Sequence, residues 1–519
     1  QAFSVSSAGQ RIHTRSKAMS WLARFWGGLD NQPWQTKMFI LIQSIFFTPI
    51  SFLVWFLIRY WNPEAKVELQ VDPVGHGTRV AKIALEVRRL AEEGGGIFTA
   101  RPDRERIQSR ILPPRQRKVD TSGLRHLVEV NVEKQTIRVE PRARVVDLTR
   151  MLVPRGWMLP CVPELDDLTI GGLLMGCGIE STSFKHGMLQ ESVEAYEIVT
   201  AEGEVKTITR DDPVLFHNLP WSYGSLGLLV SATLKIMPCQ PFVKLSITHT
   251  NNHSDLSKAT STAASRTDID FVESLAINAT HGAAMTGKFV ADAGTAPKLS
   301  LSNWYDQWFY LQVAEKEGDV IMTTMDYLHR HSKSIFWELS YLQPWGSWPI
   351  WRYCLGWVNP PKIAMVKTYQ PEVILRNFCD THVVQDYLIP IEKTEEMLKI
   401  GDKEFGVYPI WLCPYLNKAH DKATGLMHPH AKKDRMYIDV GYYGLPAVAP
   451  VGSFDMMGAL HRCEAWLMKN QGYVMLYAKH GLDEKSIEQM FGFETYYAAR
   501  KALKADKAFP TVFDKVKCG

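Results

Sequence analysis

The sequence has no Cys-x-x-Cys pair among its eight cysteines and no histidine–cysteine cluster at zinc-ligand spacing, which excludes a zinc module and a disulfide scaffold. The cysteines, at 161, 177, 239, 354, 379, 413, 463 and 518, are far apart and read as the reduced thiols of an intracellular protein. His329-Arg330-His331 and His428-Pro429-His430 are isolated pairs. Two ligands do not make a tetrahedral shell, so both read as loop or surface histidines and no metal is expected. Charge of one sign is also scarce. Residues 1–60 hold six basic residues against Asp30 alone, leaving 53 basic and 54 acidic residues in the rest of the chain. A near-neutral body cannot neutralise a phosphate backbone, so nucleic acid is excluded as a partner. What is present is 519 residues, 46% apolar and 11% aromatic, enough for several packed units around ordinary cores.

Between Lys37 and Arg59 lie 21 uncharged residues, MFILIQSIFFTPISFLVWFLI. At about 1.5 Å per residue they cross the ~30 Å of a bilayer core, so residues 38–58 are expected to form a membrane helix. Gln43, Ser44, Thr48 and Pro49 in its middle keep a kinked or re-entrant helix open as an alternative. Five basic residues precede the segment while Arg59 and Lys66 follow it, a bias that would send the body across the membrane. The reduced cysteines argue for a cytosolic body. Because the chain begins with Gln rather than Met, the expectation follows the cysteines.

Along the body, Val80, Ile83, Val87 and Leu90 recur at helical spacing and Gly94 to Gly96 stop the run. A short strand, IFTA, follows. LVEVNVEKQTIRVEP alternates about a polar turn and predicts a hairpin; ARVVDLTRMLVPRG returns to helical period. Next come a glycine-rich loop, TIGGLLMGCGIES (169–181), and a second hairpin, VEAYEIVTAEGEVKTIT. A short helix, a loop holding Gly224 and Gly227, and a strand complete the run. The class is α+β. The glycine loop lacks G-x-G-x-x-G spacing, so alone it is a weak dinucleotide signal, and glycines in a tight turn are the ordinary explanation. Its company raises the signal: free backbone N–H groups without side chains suit close approach to a pyrophosphate.

At PELDDLTIGGLLMGCGIESTSFKHG (163–187), YEIVTAEG (196–203) and LFHNLPWSYGSLGLLVSATLKIMP (215–238), the chain resembles flavoproteins with the p-cresol-methylhydroxylase-type FAD domain. FWEL (336–339), HVVQDYLIP (382–390), VYPIWLCP (407–414), MYIDVGYYG (436–444) and MLYA (475–478) extend the resemblance to the Δ24-sterol reductase family (24-dehydrocholesterol reductase, or Diminuto) from about Pro63 onward. The resemblance implies a two-lobed FAD domain over 62–240, an α+β cap over 241–475, and a segment 476–519 returning to the flavin, preceded by the basic segment and anchor, 1–61. It assigns FAD binding to Thr169, Ile170, Gly171, Gly172, Leu173, Leu174, Met175, Gly176, Cys177, Gly178, Ile179, Glu180 and Ser181, with Arg101 in the first phosphate loop. ARPDRER has no tethering histidine, so the flavin is expected to be non-covalent. Thr381 stands where the family pattern often has a histidine, so His382 alone is carried over.

The implied reaction is NADPH-driven reduction of an isolated side-chain alkene of a sterol. No carbonyl polarises such a bond, so protonation at carbon 24 must accompany hydride delivery, and the site needs a positioned acid. The candidates are Tyr477, Asp386, His382 and Asp439, with Glu180 beside them. Each has a plain structural reading: a packed strand residue for Tyr477, a helix or turn cap for Asp386, a satisfied core histidine for His382 and an ion-pair partner for Asp439. NADPH would visit the flavin face, since no second nucleotide fingerprint exists; the basic stretch 101–118 suits phosphate groups, solvent or an anionic membrane surface alike. Trp345, Trp348, Trp351, Tyr353 and Trp357, with WYDQWFYL (304–311), read either as core or as a cap rim dipping into lipid headgroups. An endoplasmic reticulum membrane follows from the substrate, and the oligomeric state is not legible. The competing readings are an aldonolactone- or alditol-type oxidase on the same fold and a non-catalytic lipid-binding protein.

Overall fold

The computed structural model describes residues 69–94, 97–100, 117–342, 345–356, 380–418, 425–427, 434–449 and 453–517. Arg101, most of the basic stretch, the 38–58 segment and His428 to His430 lie outside them. Among the described residues no helix is long and apolar enough to cross a membrane.

Helix α1 (Pro73–Glu92) starts where Asp72 accepts a hydrogen bond from the Gly75 amide at 2.8 Å and Pro73 fixes the first turn. Its stripe of Val80, Ile83, Val87 and Leu90 is buried against Val119, Leu124, Val199 and Phe509. Parallel β1 (Ile97–Ala100) and β2 (Arg117–Asp120) follow. The two predicted hairpins are β3 (Leu127–Asn131) with β4 (Thr136–Val139), and β5 (Val193–Val199) with β6 (Val205–Thr209). With β7 (Leu228–Lys235) they form one antiparallel sheet, ordered β3-β4-β7-β5-β6. Helix α2 (Val145–Leu152) packs in the main core beside it.

A second, larger antiparallel sheet contains β8 (Phe242–Thr250), β9 (Phe271–Asn278), β10 (His281–Val290), β11 (Gly318–Thr323), β12 (Val383–Pro390), β13 (Ile410–Asn417), β14 (Arg435–Gly444) and β15 (Tyr473–Val474). Its order is β11-β8-β10-β9-β13-β14-β12-β15. Helices His253–Ala264, Thr394–Glu404 and Met456–Lys469 cover one face. There the Tyr442 hydroxyl donates to the Met397 carbonyl at 2.9 Å, and Gly401 admits the Tyr442 ring, since a Cβ would sit 2.3 Å from it. The other face meets residues 161–183, with the Val272 amide on the Ser181 carbonyl at 2.8 Å.

Two sequence expectations fail here. Residues 169–181 are not all loop: α3 (Ile170–Met175) is a helix, because Ile170, Leu173 and Leu174 place apolar side chains on one core-facing side. His331 and Arg330 are not surface residues but fully buried, bound by carboxylates that the sequence places far away.

Candidate active site between the glycine-rich stretch and the large sheet

Thr169 caps α3, whose start is fixed by the Ile170 amide on the Ala143 carbonyl at 2.9 Å and the Gly171 amide on the Pro141 carbonyl at 2.8 Å. Gly171 is required by packing: a Cβ there would lie 2.4 Å from Pro141 Cβ. Gly172 is exposed, Thr169, Gly171 and Cys177 are half-buried, and Ile170, Leu173, Leu174, Met175, Gly178 and Ile179 are buried against the protein itself. The open edge of the stretch is therefore backbone with little side chain, which suits a nucleotide diphosphate. Gly176 ends the helix, and its carbonyl accepts from the Gln190 side chain at 2.7 Å and the Trp221 amide at 3.1 Å.

That second contact belongs to a loop in which Trp221 (φ 64°) and Tyr223 (φ 52°) are left-handed without being glycine, a costly backbone that must be held from outside. The C-terminal segment holds it. Lys515 Nζ donates to the Tyr223 and Gly224 carbonyls, both at 3.0 Å, and Arg500 donates to the Ser225 carbonyl at 2.8 Å.

Glu180 and Ser181 close the stretch against the large sheet. Arg330 grips both Glu180 oxygens at 2.7 and 2.8 Å and Glu273 of β9 at 2.5 Å, with its guanidinium 4.4 Å from the Tyr327 ring centroid. Glu273 also takes Trp411 Nε1 at 3.0 Å and lies 3.1 Å from His331. Burial pushes the Glu273 carboxyl up, but Arg330 and His331 outweigh it and hold the group well below the usual range. Glu180 is thus committed to an ion triad that ties the end of the glycine-rich stretch to the large sheet.

The register of the large sheet sets up a different group. Asp386 is opposite Gly441, Asp439 opposite Leu388 and Cys413, and Trp411 opposite Gly441, so Asp386, Asp439, Tyr443, Trp411 and Cys413 share the face that meets the glycine-rich stretch. Asp386 lies mid-strand rather than capping a helix or turn. Asp439 is no ion-pair member: its charged neighbours are Asp386 and Glu164, both acids. The Tyr443 hydroxyl donates to Asp386 Oδ1, while Asp386 Oδ2 and Asp439 Oδ1 are buried with no hydrogen-bond partner among the described residues. Burial pushes the Asp386 carboxyl up to about 7 against the opposing Tyr443 bond. Burial, then Asp386 and Glu164, push Asp439 well above its ordinary value. Glu164 is raised to about 8 by burial and Glu180. Cys177 faces this pair: burial, Asp439 and Asp386 all disfavour its thiolate. Unlike the triad, this cluster has no dedicated cation among the described residues, and burial favours the neutral form of its acids.

His382 precedes β12, with its Nδ1 3.2 Å from the Thr381 hydroxyl, and burial lowers it to about 3, so it carries no acidic proton at neutral pH. Tyr477 is half-buried in a turn rather than a strand. The turn is laced to β12 by the Met475 amide on the Asp386 carbonyl at 3.1 Å and Gln385 Nε2 on the Lys479 carbonyl at 2.7 Å. Sequence reasoning missed Glu273, Arg330, Tyr443 and Lys515, and also Glu338 of the FWEL motif, whose two oxygens are buried without partners and which burial raises to about 8.

A family model described as an FAD binding domain matches residues 115–209. Delta(24)-sterol reductase of Homo sapiens is 35% identical over 91% of this chain and 92% of that protein. Delta(24)-sterol reductase of Arabidopsis thaliana is 35% identical over 94% of this chain and 91% of its own length. A shorter similarity, 28% over 116 residues, links 22% of this chain to 26% of L-gulonolactone oxidase of Mus musculus.

Proposed function

Because this chain belongs to the Delta(24)-sterol reductase family and carries its FAD-binding domain, we propose that it uses NADPH and non-covalent FAD to reduce the Δ24 side-chain double bond of a sterol. The reading places it on the endoplasmic reticulum membrane with its body in the cytosol. The observation that carries it is the Asp386–Asp439 carboxyl pair, buried on the face that meets the FAD-binding stretch with one oxygen of each lacking a hydrogen-bond partner among the described residues. FAD bound there and reduced by NADPH would supply the hydride. Such a cofactor would lie along the open backbone edge at Gly172, flanked by half-buried Thr169 and Gly171; Arg101, assigned by the family resemblance, lies outside the described residues.

The chain's own work is to bring a proton to an unactivated alkene and keep water from the cation that results. A carboxylic acid held neutral by burial is a far better donor than a phenol whose ordinary pKa is about 10. Asp386 gives its proton at carbon 24. Tyr443 fixes that carboxyl, and Asp439, diagonal to it on the next strand, replaces the proton. Positive character then grows at carbon 25, where the ring faces of Trp411 and Tyr443 support it. Tyr477, in the turn tied to the Asp386 backbone, orients the side chain of the sterol, and neutral His382 accepts a hydrogen bond.

The oxidase reading receives less support, since the similarity to L-gulonolactone oxidase spans 116 residues only. Anaerobic reduction by NADPH, followed by mixing with a Δ24 sterol or with oxygen, separates the two. Rapid reoxidation by sterol and slow reoxidation by oxygen is the expected result; the reverse order would make the protein an oxidase.

A further inference from the structure

Helix Pro349–Leu355 and the facing turn at 304–305 leave an apolar group in solvent. Trp304 is 53% exposed, Trp348 53%, Ile350 81%, Tyr353 63% and Leu355 41%. These are not frayed side chains. The Tyr305 and Tyr353 rings stack at 5.6 Å, Arg352 Nη1 donates to the Tyr305 carbonyl at 2.6 Å, and the helix end lies on the Trp304 backbone so closely that a Cβ on Gly356 would be 2.8 Å from its carbonyl oxygen. A built, rigid apolar rim this size is rarely left in water.

We infer that this rim is a membrane-docking surface whose occupant is the headgroup–acyl boundary of a phospholipid bilayer. Three features of the chain select lipid over a second copy or a protein partner. The rim is led by Trp and Tyr, whose rings have an apolar body and a polar edge suited to that boundary. Its sequence from 345 to 356 contains Arg352 and no carboxylate, so nothing in it repels anionic headgroups. The uncharged 38–58 segment ends ten residues before the first described residue, Leu69. Were that segment inserted in a bilayer, the ten residues 59–68, which reach at most ~35 Å, would hold the body beside it.

The docking claim does not depend on the sterol reading, and its test is built to keep the two apart. Cys354 is an exposed thiol within the rim and takes a nitroxide label, with Cys354→Ser supplying the background from other thiols. In the full-length, FAD-loaded protein reconstituted in phosphatidylcholine vesicles, power-saturation measurements with oxygen and a water-soluble nickel chelate report label depth. The expected result is a label about 5–10 Å below the phosphates, favouring oxygen over nickel, and a return to water-like accessibility in the Trp348→Ser/Ile350→Ser variant. Equal nickel access in vesicles and in detergent would overturn the proposal. Spin–spin broadening that disappears on dilution with unlabelled protein would also overturn it, by showing a second copy on the rim. A lipid-seated label in a protein that never reduces sterol would leave the rim standing and remove the substrate reading.

Discussion

Replacing Arg330 by Met tests whether the Glu180–Arg330–Glu273 triad is what fastens the glycine-rich stretch to the large sheet. The Arg330 side chain is 0% exposed and its carboxylate partners 2% and 0%, so none of the three charges has water to fall back on. Methionine fills similar space but leaves two buried carboxylates with no guanidinium. Breaking a buried pair from one side costs about 3–5 kcal/mol, against a typical total stability of roughly 5–15 kcal/mol. The loss should depend on pH. With its carboxyl held below the usual range, Glu273 stabilises the native protein above its unfolded pKa of about 4.3 and loses that contribution as pH falls. Without Arg330 only His331 and Trp411 still oppose burial, so the Glu273 carboxyl should move upward, and the variant's deficit should be largest near pH 7 and shrink towards pH 5 as Glu273 protonates. Urea unfolding followed by tryptophan fluorescence at both pH values measures this. Arg330→Met combined with Glu180→Gln and Glu273→Gln removes the orphaned charges and should recover more than half of the loss. A deficit below ~1 kcal/mol, or one that is flat with pH and not rescued by the glutamines, would refute the reasoning.

Gly172→Val should release flavin, read by the yellow colour retained after gel filtration, while acid precipitation of the wild type should free its flavin into the supernatant. Lys515→Met should loosen the strained 221–225 loop and weaken FAD retention by about tenfold without lowering expression; unchanged retention would show that the loop is held without Lys515. His76 lies between Glu140 at 2.7 Å and Glu197 at 2.8 Å, and although burial opposes it, these bonds raise its pKa above 6.5. Its stabilisation is complete below pH 6.5 and fades as pH rises through the raised value, so melting temperature should fall as pH rises above 6.5 in the wild type, and His76→Gln should lack that slope. Tyr477→Phe should leave flavin reduction by NADPH intact and slow reoxidation by sterol, and a normal sterol step would make Tyr477 a packing residue.

Local signals were legible and distant pairings were not. The α1 stripe, both hairpins and the strands VYPIWLCP and MYIDVGYYG could be read because periodicity and turn residues are properties of neighbouring positions. Glycines argue for loops, yet Ile170, Leu173 and Leu174 had enough apolar surface to make a helix of 170–175. His329-Arg330-His331 could not be read as a core feature, because the carboxylates that permit Arg330 to be buried are 150 and 57 residues away. Asp386 and Asp439 were visible as candidates, but their shared face depends on the β12–β14 register, which no single motif contains. Lys515 had no signal, since its ligands are two carbonyls that any sequence possesses.

The central claim is that Asp386 and Asp439 deliver the proton to the alkene. Stopped-flow reoxidation of NADPH-reduced protein by a Δ24 sterol, in the wild type, Asp386→Asn and Asp439→Asn, tests it most directly. Reduction by NADPH should be near normal in all three. Reoxidation by sterol should slow at least tenfold in both variants, about 1.4 kcal/mol of barrier, and in the wild type it should decline as pH rises through about 7, where the raised Asp386 carboxyl ionises. Sterol reoxidation that stays fast in both asparagine variants and flat from pH 6 to 9 would contradict the account.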